Sequence, residues 1–150
     1  PYQAEPMNSV MDQSVQSVVL MWASQTGKTE IINNIIGYHI DLDPSPILCL
    51  QPTLEIATSW STDRLSPMVR DTPVLKKLVA DPKARDSGNT KLHKKFMGGH
   101  ITIAGANSPA SLAARPIRVV LCDEVDRYPD SAGGRRGHNR SMAGVSLQTD

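Results

Sequence analysis

One stretch constrains this chain more than any other: Val18-Val19-Leu20-Met21-Trp22-Ala23-Ser24-Gln25-Thr26-Gly27-Lys28-Thr29-Glu30. An apolar run rich in β-branched residues gives way to a small polar loop, and Gly-Lys-Thr then opens a segment of helical character. The order is strand, loop, helix N-terminus. At such a junction the amides of the loop and of the first helical turn point outward without intrahelical partners, and the helix dipole adds partial positive charge. A triphosphate suits that cradle, formed by Ser24, Gln25, Thr26 and Gly27. Gly27 lets the backbone approach closely, the Lys28 ammonium reaches the β- and γ-phosphates, and the Thr29 hydroxyl offers an oxygen to Mg²⁺. Trp22 stands where the full G-x-x-x-x-G-K-[ST] pattern has its first glycine. The loop alone is therefore also compatible with a plain helix start carrying a solvated lysine.

A second motif narrows the choice. Arg118-Val119-Val120-Leu121-Cys122-Asp123-Glu124 is another apolar run, ending in two acids. Continuous hydrophobic strands are those buried on both faces, as in parallel sheets. Acids at the carboxyl end of such a strand fall in the crevice where open α/β sheets bind ligands. Asp123 is placed to hold Mg²⁺, and Glu124 to orient and deprotonate the water that attacks the γ-phosphate. The bland alternative is a strand followed by an acidic turn. Taken together, the two motifs predict an α/β P-loop NTPase core of the ASCE/RecA-like kind, with a mainly parallel sheet flanked by helices and with ATP and Mg²⁺ as cofactors.

The chain has 150 residues, a length that fits one domain with a real core. A net charge of +1 gives no whole-chain electrostatic footprint for DNA, and 4% aromatics argue against stacking platforms for single strands. A local patch could still grip DNA. Cys49 and Cys122 lie inside apolar runs and read as buried thiols. His39, His93, His100 and His138 lack metal-ligand spacing. No signal peptide and no apolar run near ~20 residues is found, so neither export nor a membrane partner is expected. The first residue is Pro1, and the expectation is a piece of a longer protein.

Along the chain, residues 3–11 have the spacing of an amphipathic helix with Met7, Val10 and Met11 on one face. Tyr2 could stack on a base and Gln3 read its edge, although a solvent-facing arm explains both. Ile31, Ile32, Ile35, Ile36 and Ile40 mark a helix that Pro44 and Pro46 end. Ile47 to Pro52 reads as a buried strand, and Thr53 as the N-cap of a helix through Trp60 towards Leu65. A short helix follows within 67–80. Residues 81–99 are polar and basic, with Lys83, Arg85, Lys91, Lys94 and Lys95, and read as a solvated face or a DNA-backbone patch. His100 to Gly105 is a third strand, with Asn107 and Ser108 at its exit and a short helix from Pro109 through Ala113. Arg115 and Arg118 are ordinary surface arginines or phosphate sensors. Residues 130–150, with Arg135, Arg136 and Arg140, show no apolar period.

Four segments then resemble one family. They are Ala23 to Glu30, Gln51-Pro52-Thr53, Gly105-Ala106-Asn107-Ser108-Pro109-Ala110-Ser111-Leu112, and Asp123-Glu124-Val125-Asp126-Arg127-Tyr128-Pro129. In order and spacing, from Tyr2 to about Gly134, they look like the ATPase domain of the lambda-like phage terminase large subunit, the GpA family. The resemblance implies a viral DNA-packaging motor in the host cytoplasm that hydrolyses ATP to move double-stranded DNA into a procapsid. It implies as partners the terminase small subunit and the procapsid portal, and a homo-oligomeric ring in which a neighbour's arginine completes the site. It also puts Tyr2 and Gln3 in the adenine-recognition region. No counterpart of the family's coupling motif or nuclease domain is present. Residues 1–134 are thus expected to be an incomplete ATPase core, and 135–150 an atypical, disordered tail produced by a change of reading frame near Gly134. The competing readings are a truncated prophage remnant with weak or no nucleotide binding, and a helicase-like translocase.

Overall fold

The computed structural model describes residues 2–23, 25–80, 88–108, 116–129 and, for the backbone alone, 145–149. Strand β1 (Ser17–Leu20) leads through the loop into α2 (Lys28–Asp41), preceded by α1 (Ala4–Met11). Strand β2 (Pro46–Gln51) is followed by α3 (Leu54–Trp60), a π-helical turn (Ser61–Leu65), α4 (Ser66–Asp71) and α5 (Pro73–Leu78). The hairpin β3 (His93–Phe96) and β4 (Gly99–Gly105), then β5 (Val119–Cys122), a 3-10 turn (Val125–Arg127) and β6 (Val145–Thr149) complete the described elements.

These elements form a six-stranded sheet in the order β1-β6-β5-β2-β4-β3. β2 pairs in parallel with β4 on one side and β5 on the other, as buried apolar runs do. The remaining pairings are antiparallel: β3 with β4, β5 with β6, and β6 with β1. The sheet is therefore mixed, which corrects the mainly parallel sheet expected from the sequence. At one edge the cause is a two-residue hairpin turn, Met97-Gly98, that sends β4 back along β3. Gly98 sits at φ +85°, and a Cβ there would come within 2.8 Å of the Pro44 ring, so the turn favours glycine.

At the other edge the cause is β6. Residues 145–149 form a strand where a disordered tail was expected. Their alternation, Val-Ser-Leu-Gln-Thr, is a strand pattern too short to stand out in a glycine- and arginine-rich context. β6 lies between β1 and β5, aligning Val18 with Leu147 and Leu147 with Leu121. The helix expected at 109–113 and the arginines 115, 135, 136 and 140 lie outside the described residues.

Burial follows the apolar patterning. Ile31, Ile32, Ile35, Ile36 and Ile40 of α2 are buried against Ile47, Cys49, Ile101, Ile103, Val119 and Leu121 of the sheet. Met7 and Val10 of α1 pack on this core, whereas Met11 is exposed. Thr53 caps α3 by accepting from the Ile56 amide at 3.3 Å, as its sequence context predicts. No helix among the described residues is long and apolar enough to cross a membrane.

Two predictions follow from the packing. His39 is buried, with Nδ1 3.1 Å from the Asp43 carbonyl and Nε2 without a hydrogen-bond partner. Burial pulls its pKa below the ordinary 6.5, against the pull of Asp43, with Arg118 reinforcing the drop. The unfolded chain takes up this proton at higher pH than the folded one does. Stability present above the ordinary imidazole range is therefore lost as pH falls below it. Urea midpoints at about pH 7.5 and about pH 5 should show this loss, and His39→Leu should reduce it. The second prediction concerns β1, whose ladder bonds all go to β6. Deleting residues 145–150 should speed amide exchange at 17–20 selectively, while α2 and β2 keep their protection.

Candidate functional site

Strands β1, β5, β2 and β4 run in one direction, so their carboxyl ends meet at one edge of the sheet. Leu20 of β1 aligns with Val145 of β6, and Cys122 of β5 with Ser146 beside it. The loop after β1 and the acids after β5 thus leave the same edge two strand spacings apart, about 10 Å. Gln51 and Gly105, the paired last residues of β2 and β4, lie at the same edge.

The loop turns sharply into α2. Gln25 has φ +59° and Gly27, the N-cap, φ +85°. The first i→i−4 bond runs from the Ile31 amide to the Gly27 carbonyl, so the Lys28 and Thr29 amides precede the helical ladder. The Lys28 ammonium folds back to donate to the Trp22 carbonyl at 2.8 Å and the Ala23 carbonyl at 3.3 Å. The Thr26 hydroxyl donates to the Ala23 carbonyl at 2.8 Å. Two residues from the start of the chain cover the loop. Tyr2 donates its hydroxyl to the Thr26 carbonyl at 3.3 Å and meets the Trp22 ring edge-on, with centroids 5.3 Å apart. Gln3 donates to the Gly27 carbonyl at 3.4 Å, and a Cβ on Gly27 would lie 2.4 Å from that amide nitrogen. Gly27 is thus favoured by its dihedral angle, since the Gln3 side chain could move aside for a Cβ. Ser24 lies outside the described residues.

Across the crevice, Asp123 is 6% exposed and lies 3.5 Å from the Gln51 side-chain amide, itself buried. Burial pushes the Asp123 carboxyl above the ordinary carboxylate range and neighbouring Glu124 adds to the rise, while the Gln51 hydrogen bond and the Lys28 charge pull it back. Glu124 follows in the left-handed region, φ +51°, which turns its carboxylate out to an ion pair with Arg127 at 2.6 Å. A cleft of about 360 Å³ brings Asp123 and Glu124 together with Thr29, Gln51, Trp60, Asp63, Arg64 and Arg127. The buried Trp60 indole N–H there has no hydrogen-bond partner.

Thr29, Asp123 and Glu124, which are far apart in the sequence, thus share one cleft, with Lys28 close by and Tyr2 and Gln3 on the loop. Arg118 does not join them. At the opposite end of β5 it donates to Asp43 at 2.8 Å and to the Ser45 hydroxyl at 2.7 Å, so it cannot sense a phosphate at the crevice. Asn107 is exposed beyond the end of β4. Sequence reasoning missed Asp63 and Arg64, which reach the cleft from the π-helical turn; π-turns are frequent at functional sites but have no sequence signature here. It also gave Arg127 no part, although Glu124 and Arg127 at i, i+3 are a readable ion-pair spacing. Among the oxygens lining the cleft, the Thr29 hydroxyl and the Asp123 carboxylate are hard donors of the kind Mg²⁺ takes. Among the described residues no group of three or more His, Cys, Asp or Glu forms a metal cage.

The fold and cleft define an α/β protein with a glycine–lysine loop and a pair of acids converging on one sheet edge. Residues 1–145 match the family described as phage terminase large subunit gpA, ATPase domain, and the chain belongs to that family. The match bears out the resemblance read from the motifs and extends past Gly134, where that resemblance stopped. Comparisons with curated proteins and with solved structures find no match.

The Glu124–Arg127 pair is 44% and 57% exposed, so it is a weak tether. A double-mutant cycle with Glu124→Gln and Arg127→Ala should give a coupling below ~1 kcal/mol in urea unfolding. A coupling of several kcal/mol would show Glu124 locked in place.

Proposed function

We propose that this chain is the ATP-hydrolysing core of a viral DNA-packaging motor, coupling hydrolysis to translocation of double-stranded DNA. The observation that carries the reading is the meeting of Thr29, Asp123 and Glu124 in one cleft beside the Gly27-Lys28 loop. Membership of the terminase ATPase family supports it independently and implies nucleotide use, DNA and packaging machinery in general. The strand–loop–helix order at 17–41 and the acids after β5 favour the P-loop NTPase type, with residues 1–134 as core and β6 completing the sheet.

In this mechanism Lys28 exchanges the Trp22 and Ala23 carbonyls for β- and γ-phosphate oxygens, and the first amides of α2, with Ser24 to Gly27, hold the same anion. Thr29 and Asp123 would hold Mg²⁺, whose charge would favour an ionised Asp123 against the cost of its burial. When bound, Mg²⁺ neutralises phosphate charge. Glu124 orients the attacking water and accepts its proton, which requires its carboxylate to leave Arg127. Tyr2 and Gln3, which rest on the loop, would meet the adenine. Assembly into a ring with a neighbour's arginine, and docking to the small subunit and portal in the host cytoplasm, belong to the same proposal. So does the absence of any nuclease role for these residues.

A second reading is favoured by the 2.6 Å contact between Glu124 and Arg127: the chain by itself holds ATP without turning it over. Binding of ATP with Mg²⁺, followed by turnover on the same sample, tests both. Lys28→Ala should weaken ATP binding at least ~10-fold, the loss of one charge-assisted contact. Glu124→Gln should keep binding and lower any turnover ~10²–10⁴-fold. Binding with no turnover in the unaltered chain would select the second reading, and no binding by a folded sample would overturn both.

A further inference from the structure

A second cavity, of about 790 Å³, opens on the other side of the α3–π–α4 helix and shares no lining residue with the cleft described above. Its size lies within the range of small-ligand sites, roughly 300–1,000 Å³. Val69, Val79 and Ala80 give it apolar walls, and Lys76, Lys77 and Lys94 line it as well. Lys76 and Lys77 are exposed. Lys94 is different: it is 8% exposed, on an inward position of β3 beside buried Phe96.

A lysine removed from water to this extent is normally paired. Among the described residues the Lys94 side chain has no ion pair or hydrogen bond, and burial depresses its pKa. Arg70, which also lines the cavity, is neutralised by Asp71 at 2.6 Å. An inward charge on an edge strand can serve to discourage strand pairing with another chain. That role needs only one charge on β3. It does not account for two further lysines from α5 converging on the same space, or for a cavity large enough to hold a ligand.

We propose that this cavity is a binding site for a phosphate group, held at its base by the Lys94 ammonium and at its rim by Lys76 and Lys77. The phosphate comes either from a nucleic-acid backbone or from a small phosphorylated molecule whose apolar part lies on Val69 and Val79. The site is separate from the Lys28 loop, and the inference does not rest on ATP hydrolysis.

The test uses the whole chain with two probes, a short duplex DNA and inorganic phosphate, and ATP binding as the control for folding. The variants are Lys94→Met, which keeps the buried stem and removes the charge, and Lys94→Arg. Lys94→Met should weaken at least one probe roughly tenfold or more, Lys94→Arg should restore part of that loss, and ATP binding should be unchanged in both. Loss for DNA together with phosphate identifies the backbone as the source, and loss for phosphate alone identifies a small ligand. Unchanged affinity for both probes in Lys94→Met, with ATP still bound, overturns the proposal and leaves Lys94 as an edge-strand charge.

Discussion

The edge of the sheet that carries Asp123 depends on the backbone at the end of β2. The Leu50 carbonyl accepts from the Asp123 amide at 3.0 Å and from the Tyr128 hydroxyl at 2.9 Å, and the Gln51 carbonyl accepts from the Ala106 amide at 2.8 Å. These bonds continue the parallel ladders of β2 one step beyond the strands, so the exits of β4 and β5 are aligned to it. The buried Gln51 side chain then reaches Asp123. A strand without neighbours on both sides could not hold an acid and its hydrogen-bond donor in register, and β2 is the strand that the parallel core surrounds.

Around that hub the chain departs from what stability alone would select. Gln25 and Glu124 both have positive φ without being glycine, and Asp123 and Trp60 carry polar groups that burial leaves poorly satisfied. Such costs gather at functional sites, where a ligand can offset them. All four residues lie in the loop or the cleft. The α3–π–α4 helix adds a further link. Successive residues of the π-turn face opposite ways, Thr62 to the lysine-lined cavity and Asp63 and Arg64 to the cleft. One helix therefore walls both.

Much of this was legible from residue pattern. The isoleucines of α2, the apolar runs of β2, β4 and β5 and the Thr53 cap state their structure locally, and motif order along the chain announced the family. The convergence of Thr29 with the two acids follows from strands exiting one edge of a sheet, which is a property of topology that motif order implies. β3 was hidden because a lysine occupies an inward position, which breaks the apolar alternation by which strands are read. β6 was hidden by its neighbourhood. The π-turn and its Arg64 were illegible for another reason: a π-helix forms where one extra residue is accommodated by tertiary packing, and nothing local marks it. The reversal of two of the strands could not be read from single segments, because direction is a relation between partners.

The place of β6 has a consequence for how the protein is made. β1 and its loop emerge early from the ribosome, yet the strand that hydrogen-bonds β1 to the sheet is encoded at 145–149. At ~5–20 residues per second, β1 waits on the order of ten seconds for that partner. Meanwhile the parallel core of β2, β4 and β5 can already have formed. β1 is thus paired late, and a nascent chain stopped before residue 145 holds α2 on the parallel core while β1 still lacks its neighbour in the sheet.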